Sequence, residues 1–206
     1  MSYTVKEIFK SIQGEGANAG RVAVFCRFAG CNLWSGREED RATAICKFCD
    51  TDFIGGEKYP DAVALVDAIE KLWGASRPRR FVVLTGGEPA LQYDETLRTE
   101  LHKRSFFIAI ETNGTIELRA KVDWLCVSPK ADTTIVLHDA DELKLVYPQA
   151  GLSPHLAAHD IDALHYSVQP MDGPDFAANT IAAYQFAVEN PKWKLSIQMH
   201  KAVGVR

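Results

Sequence analysis

Phe81-Val82-Val83-Leu84-Thr85-Gly86-Gly87-Glu88 is the stretch that decides the fold. Its first four residues are apolar without alternation, the pattern of a strand buried on both faces, and such strands belong to mostly parallel sheets covered by helices. A polar, glycine-rich cluster follows at once. The same succession recurs downstream: Phe106-Phe107-Ile108-Ala109-Ile110 runs into Glu111-Thr112-Asn113-Gly114, Trp124-Leu125-Cys126-Val127 into Ser128-Pro129-Lys130, and Leu164-His165-Tyr166-Ser167-Val168 into Gln169-Pro170. Further apolar runs at 22–28, 143–147 and 195–199 also read as strands. In a parallel barrel the C-terminal ends of the strands share one rim, where the loops build the site, so the polar clusters are expected to converge on one pocket.

Between the strands, the spacing predicts a helix over 61–73, capped by Asp61, with Val63, Val66, Ile69 and Trp73 on one face. Weaker helical patterns cover 91–104 and 176–189, whereas 113–122 and 129–141 are too short or too polar for helices. The expected fold is therefore α/β: an open, incomplete (β/α)6-type partial TIM barrel with a reduced helical layer. With 206 residues, 47% of them apolar, the chain can bury one substantial core as a single domain over 1–206. A net charge of -4 supplies no basic field for phosphate backbones or acidic membranes, so a small-molecule substrate is favoured over nucleic acid. No run approaches the roughly 20 apolar residues of a membrane span, nor resembles a signal peptide, and a cytoplasmic location is expected.

Five cysteines at irregular spacing point in such a chain to metal binding or catalysis rather than to disulfides. Cys46-Lys47-Phe48-Cys49 is a CxxC, shared by zinc knuckles, redox pairs and iron-sulfur sites. Cys31, in Phe28-Ala29-Gly30-Cys31-Asn32-Leu33, follows its strand closely enough for the loop to fold back towards that pair. Three thiolates would hold three irons of a four-iron cluster and leave the fourth open to a cofactor, whereas a structural site is normally closed by four ligands. Cys26 and Cys126 fall inside strands and read as small buried hydrophobes. A zinc-stabilised binding module, completed by a distant His, is the alternative from another class.

Taken in order, Ser11-Ile12-Gln13-Gly14-Glu15-Gly16, the Cys31 segment, Cys46-Lys47-Phe48-Cys49-Asp50-Thr51, Thr85-Gly86-Gly87-Glu88-Pro89, Glu111-Thr112-Asn113-Gly114, Ser128-Pro129-Lys130, Asp141-Glu142-Leu143-Lys144 and Gln169-Pro170-Met171 make the chain resemble the radical S-adenosylmethionine superfamily. Within it, the resemblance is to the 7-carboxy-7-deazaguanine synthase family and covers nearly the whole chain. The superfamily usually spaces its cysteines CxxxCxxC, whereas fourteen residues, 32–45, separate Cys31 from Cys46 here. Loop closure costs only about 0.6 kcal/mol per doubling of length, so the longer spacer still permits one cluster. The charges at 37–41 read as a solvated loop tip.

The resemblance implies a 4Fe-4S cluster on Cys31, Cys46 and Cys49 within a loop spanning 29–51, and S-adenosylmethionine bound at the rim. It places the methionine ammonium at Thr85, Gly87 and Glu88, the carboxylate at Lys130 and Ser128, the ribose side at Glu111 and Asn113, and the adenine beside Phe48, with Gln169 against adenine or ribose. Thr51 is similar to a Mg2+ ligand that is completed by the substrate. The substrate implied is 6-carboxytetrahydropterin, contacted by Ile12, Gln13, Gly14, Glu15 and Gly16, by Arg27, whose fork suits a carboxylate, and by His200 on a closing C-terminal strand. Plainer readings exist for single residues: Glu15 as a loop glutamate, Arg27 in a surface ion pair, Phe48 in packing, and His200 as incidental. The family implies an electron donor such as flavodoxin or ferredoxin, a homodimer, and a place in queuosine biosynthesis. A glycyl-radical-enzyme activase is the nearest rival, although it does not account for Gln13-Gly14-Glu15-Gly16 or Cys49-Asp50-Thr51.

Overall fold

The computed structural model describes residues 1–76 and 78–205. The chain opens with β1 (Tyr3–Ile12), which pairs antiparallel with β2 (Val22–Phe28) and, on its other side, with the short edge strand β3 (Glu57–Tyr59). Sequence reading placed no strand before 22, because Lys6, Glu7 and Lys10 interrupt any apolar run. Alternation is the signal that mattered, with Tyr3 and Val5 buried between more exposed neighbours.

Helix α1 (Ala62–Trp73) follows, capped by Asp61, whose Oδ1 accepts the Ala64 N–H at 2.9 Å. It buries Ala62, Leu65, Val66 and Ile69. Val63, expected on the core face, is 46% exposed. The true stripe is 62, 65, 66, 69, one step round the helix, because Leu65 rather than Val63 lies directly over the sheet. Next come β4 (Phe81–Gly86) and α2 (Glu95–Lys103), the latter capped by Asp94 and shorter than 91–104 because Pro89–Leu91 forms a separate 3-10 turn.

The remaining elements are β5 (Phe107–Thr112), β6 (Trp124–Val127), β7 (Asp139–Tyr147), α3 (Pro154–Asp160), β8 (Asp162–Pro170), α4 (Phe176–Glu189), β9 (Trp193–Leu195) and α5 (Met199–Ala202). The run 195–199 is thus not a strand: β9 stops at Leu195, and His200 stands on the one-turn helix α5.

One open sheet holds every strand in the order β3-β1-β2-β4-β5-β6-β7-β8-β9, with all pairings from β2 to β9 parallel. The β5–β6 and β6–β7 crossovers carry no helix, so the outer layer is incomplete as expected. Alternate residues serve the two faces. Val82 and Leu84 pack outward with α1 and α2 residues, while Phe81, Val83, Ala23 and Ala109 point inward. At the N-terminal end of the barrel the Arg21 guanidinium lies 3.9 Å from the Phe81 ring centroid and 5.1 Å from that of Phe107. Full burial of one such large apolar side chain stabilises by about 1.5–3 kcal/mol, so the sheet is secured from both faces. The opposite end is left to polar residues.

Candidate active site

At that C-terminal rim a cavity of about 510 Å³ is lined by residues from all the polar clusters that close the strands. Cys31, Cys46 and Cys49 open onto it together with Phe48 and Thr51. The cluster loop is brought there by backbone bonds at both ends. Gly87 N–H donates to the Phe28 carbonyl at 3.2 Å and Glu88 N–H to that of Gly30 at 2.9 Å, which ties the start of the loop to the end of β4. Further on, the N–H groups of Ile45 and Cys46 both donate to the Leu33 carbonyl, folding the CxxC back beside Cys31.

The spacer between the cysteines is more than a solvated tip. Arg41 lies 4.1 Å over the Trp34 ring and donates from Nη1 to the carbonyls of Lys47 at 2.8 Å and Cys49 at 3.2 Å, while Trp34 meets Phe53 edge-on. Sequence reading missed Arg41 because a run of mixed charges ordinarily faces water. The neighbouring Cys46 thiol lowers Cys49 despite its burial, and the same interaction together with burial pushes Cys46 up. Burial likewise raises Cys31, and the nearby Lys130 ammonium favours the thiolates of Cys46 and Cys49.

Thr85, Gly87, Glu111, Asn113, Ser128, Lys130 and Gln169 also line the cavity. Lys130 donates to the Ser128 hydroxyl at 2.9 Å, and Asn113 Nδ2 donates to Asn32 Oδ1, also at 2.9 Å. Glu88 stands apart: fully buried, its carboxylate accepts the Ala90 N–H, the Thr112 hydroxyl and the Asn113 N–H at 2.7–2.9 Å. It stitches the ends of β4 and β5 together rather than facing the cavity.

From the other side come Ile12, Gln13, Glu15, Arg27 and His200. Arg27 does form an ion pair, its Nε 3.0 Å from Glu7. Gly14 and Gly16 do not line the cavity but permit close approaches. A Cβ on Gly14 would fall 2.1 Å from His200 Nδ1, and Gly16, with φ of +64°, lies against the Glu142 carboxylate. Glu142 accepts the Ala17 N–H with both oxygens at 3.1 Å and the Ser167 hydroxyl at 2.8 Å. Lys144, two residues along β7, pairs with Glu15 inside the cavity wall. Neither Glu142 nor Lys144 was assigned a part from sequence, though a charged pair at i, i+2 within a buried strand is itself a signal.

The fold and this site define the class. The model of the Radical SAM superfamily matches residues 40–142, and the chain belongs to that superfamily, which implies an iron-sulfur cluster and S-adenosylmethionine. The chain is 54% identical to 7-carboxy-7-deazaguanine synthase of Bordetella pertussis and 55% identical to that of Bradyrhizobium diazoefficiens, each over the whole of both chains. Among solved structures it is similar to the crystal structure of QueE from Escherichia coli, with a TM-score of 0.72 and 27% identity over 97% of this chain and 95% of that one. Within the superfamily, it belongs to the 7-carboxy-7-deazaguanine synthase family.

Proposed function

We propose that the chain is a carbon-nitrogen lyase that converts 6-carboxy-5,6,7,8-tetrahydropterin to 7-carboxy-7-deazaguanine by radical ring contraction with loss of ammonia, a step of queuosine biosynthesis. The observation that carries the reading is the opening of Cys31, Cys46 and Cys49 onto the same cavity as Gln13, Glu15 and Arg27. A cluster holding S-adenosylmethionine supplies a deoxyadenosyl radical for hydrogen abstraction. Thr85 and Gly87 hold the methionine ammonium, and the Lys130 ammonium, braced on Ser128, meets the carboxylate. Glu111 and Asn113 serve the ribose side, with Phe48 and Gln169 beside the adenine.

On the substrate side, Glu15 accepts from the pterin's amino and ring N–H groups, Arg27 takes its carboxylate, and Gln13 and His200 complete the wall. Thr51 contributes an oxygen to a Mg2+ whose shell the substrate carboxylate and waters complete, since a single hydroxyl is a weak magnesium ligand. An electron donor such as flavodoxin or ferredoxin, a homodimer and a cytoplasmic setting belong to the same reading. No described helix is long and apolar enough to cross a membrane.

Two features weigh against the rivals. The cavity takes in Gln13, Glu15, Asp50 and Thr51 beside the cysteines, residues to which an activase acting on a protein partner gives no part. A zinc-stabilised module gives no part to Thr85, Glu111, Asn113, Ser128, Lys130 and Gln169, which line the same cavity as the three thiols. The test is genetic: the chain, expressed in bacteria lacking their own synthase, should restore queuosine to transfer RNA, and Cys46→Ala should not. Absence of queuosine with soluble, cluster-bearing protein would overturn the substrate assignment.

A further inference from the structure

Lys144 is almost fully buried, and its surroundings form a closed circuit. Its Nζ donates to Glu15 Oε2 at 2.5 Å and lies 3.3 Å from Glu111 Oε1. Glu111 Oε1 accepts the Gln13 amide N–H at 2.9 Å, and Gln13 Oε1 accepts the backbone N–H of Glu15 at 3.1 Å. Four side chains from three elements, the 13–16 loop, β5 and β7, thus fix one another.

The circuit has a physical logic. Two carboxylates, Glu15 and Glu111, face one cavity and would repel each other or take up a proton without a cation between them. One ammonium satisfies both, and because a buried charge without a partner is costly, the three groups hold one geometry. The Gln13 amide is fixed as well, its NH2 on Glu111 and its oxygen on Glu15. Gln198 Nε2 steadies the remaining Glu15 oxygen at 2.9 Å, and β7 grips the next turn of the same loop through Glu142 and Ala17. Cys126, His200 and Lys130 are further titratable groups within electrostatic reach of the Lys144–Glu15 pair.

We propose that Lys144 is the positioning residue that sets Gln13 and Glu15 for the substrate. This rests on the reading in which Gln13 and Glu15 contact a pterin. It assigns Lys144 no contact with the reacting atoms; it acts through its two carboxylate partners, and it joins the substrate side of the cavity to Glu111 on the cofactor side.

The test uses the anaerobically reconstituted holoenzyme, titrated calorimetrically with 6-carboxypterin, the stable oxidised counterpart of the proposed substrate. Lys144→Met is expected to weaken binding by roughly 30-fold or more, with cluster content retained, and Lys144→Arg to recover most of the loss. Glu15→Gln is expected to weaken binding alone, and adding Lys144→Met to it should then cost far less than in the wild-type background. If Glu15→Gln binds 6-carboxypterin as wild type does, the substrate reading fails and the role of Lys144 falls with it. If Glu15→Gln weakens binding while Lys144→Met does not, or if the two losses simply add, Lys144 is not a positioning residue and the substrate reading stands. Should Lys144→Met not take up its cluster, Lys144→Gln, which keeps one hydrogen bond but no charge, is judged by the same outcomes.

Discussion

Gly87 sits so close to Gly30 that a Cβ on it would lie 1.9 Å from the Gly30 carbonyl oxygen and 3.0 Å from the Cys31 Cβ. Only a residue without a side chain lets the first cysteine of the loop rest against the end of β4. Gly87→Ala must push the backbone at 30–31 away, and such overpacking costs about 1–3 kcal/mol. Gly30 itself has φ of +86° with open space around its missing Cβ, so Gly30→Ala meets backbone strain alone, about 1 kcal/mol. Melting temperature and iron content of the reconstituted proteins check this. Gly87→Ala should lose iron as well as stability, and Gly30→Ala should keep most of its iron.

The Glu15–Lys144 pair sets an acid dependence. Burial opposes the Glu15 charge, but the Lys144 ammonium, its hydrogen bond and the Gln198 amide overcome that and bring the carboxyl down from 4.5 to about 2. A depressed carboxylate contributes stability that is present above its unfolded value and lost as pH falls through its folded one. The loss from this residue therefore falls between about pH 4.5 and 2. Urea titrations across that window should show a steeper fall for wild type than for Glu15→Gln; equal slopes would mean that Glu15 is not held down.

Arg41 braces the cluster loop through two carbonyls and the Trp34 face. Each lost hydrogen bond is worth about 0.5–1.5 kcal/mol, so Arg41→Ala should destabilise the loop and quicken iron loss to a chelator. Arg41→Lys keeps the charge but neither the fork nor the stacking, and should recover little. Full recovery by lysine would show that charge alone matters there.

Over the mouth of the cavity, Lys201 on α5 bridges Asp50 of the cluster loop at 3.1 Å and Asp172 beyond β8 at 2.6 Å. All three side chains are about 40% exposed, where water and salt screen ion pairs to about 0–1 kcal/mol. Lys201→Met should accordingly leave the melting temperature nearly unchanged while making residues after Leu195 easier to cleave by protease at low salt. Wild-type resistance in the variant would show that the bonds of Ser196, Gln198 and Met199 to Val168, Glu15 and Gly14 seat this segment without Lys201.

Much of this was legible in the sequence because the barrel repeats one event, an apolar run closed by a polar cluster, and each cluster did reach the shared rim. The two helix-free crossovers were readable for the same reason: too few apolar residues to cover a sheet. What escaped detection depended on partners distant in the chain. β1 hides its buried residues by alternation, and Val63 exchanged places with Leu65 because a helical stripe does not say which edge meets the sheet. Glu88 kept its place in the motif but spends its oxygens on Ala90, Thr112 and Asn113. Leu195-Ser196-Ile197-Gln198-Met199 reads as a strand by composition and the family resemblance implies a closing strand at His200, whereas pairing with β8 ends at Leu195 and the backbone turns to place His200 over Gly14. Lys144 carried a signal, a lysine inside a strand, yet its meaning needed Glu15 and Glu111 to be seen beside it.

The most direct measurement of the central claim is anaerobic turnover. Protein reconstituted with iron and sulfide is reduced and given S-adenosylmethionine, Mg2+ and 6-carboxytetrahydropterin, and the products are followed by mass spectrometry. The account expects 7-carboxy-7-deazaguanine in amounts exceeding the S-adenosylmethionine consumed, and none from Cys31→Ala, Cys46→Ala or Cys49→Ala. Deoxyadenosine and methionine formed without that product would contradict it.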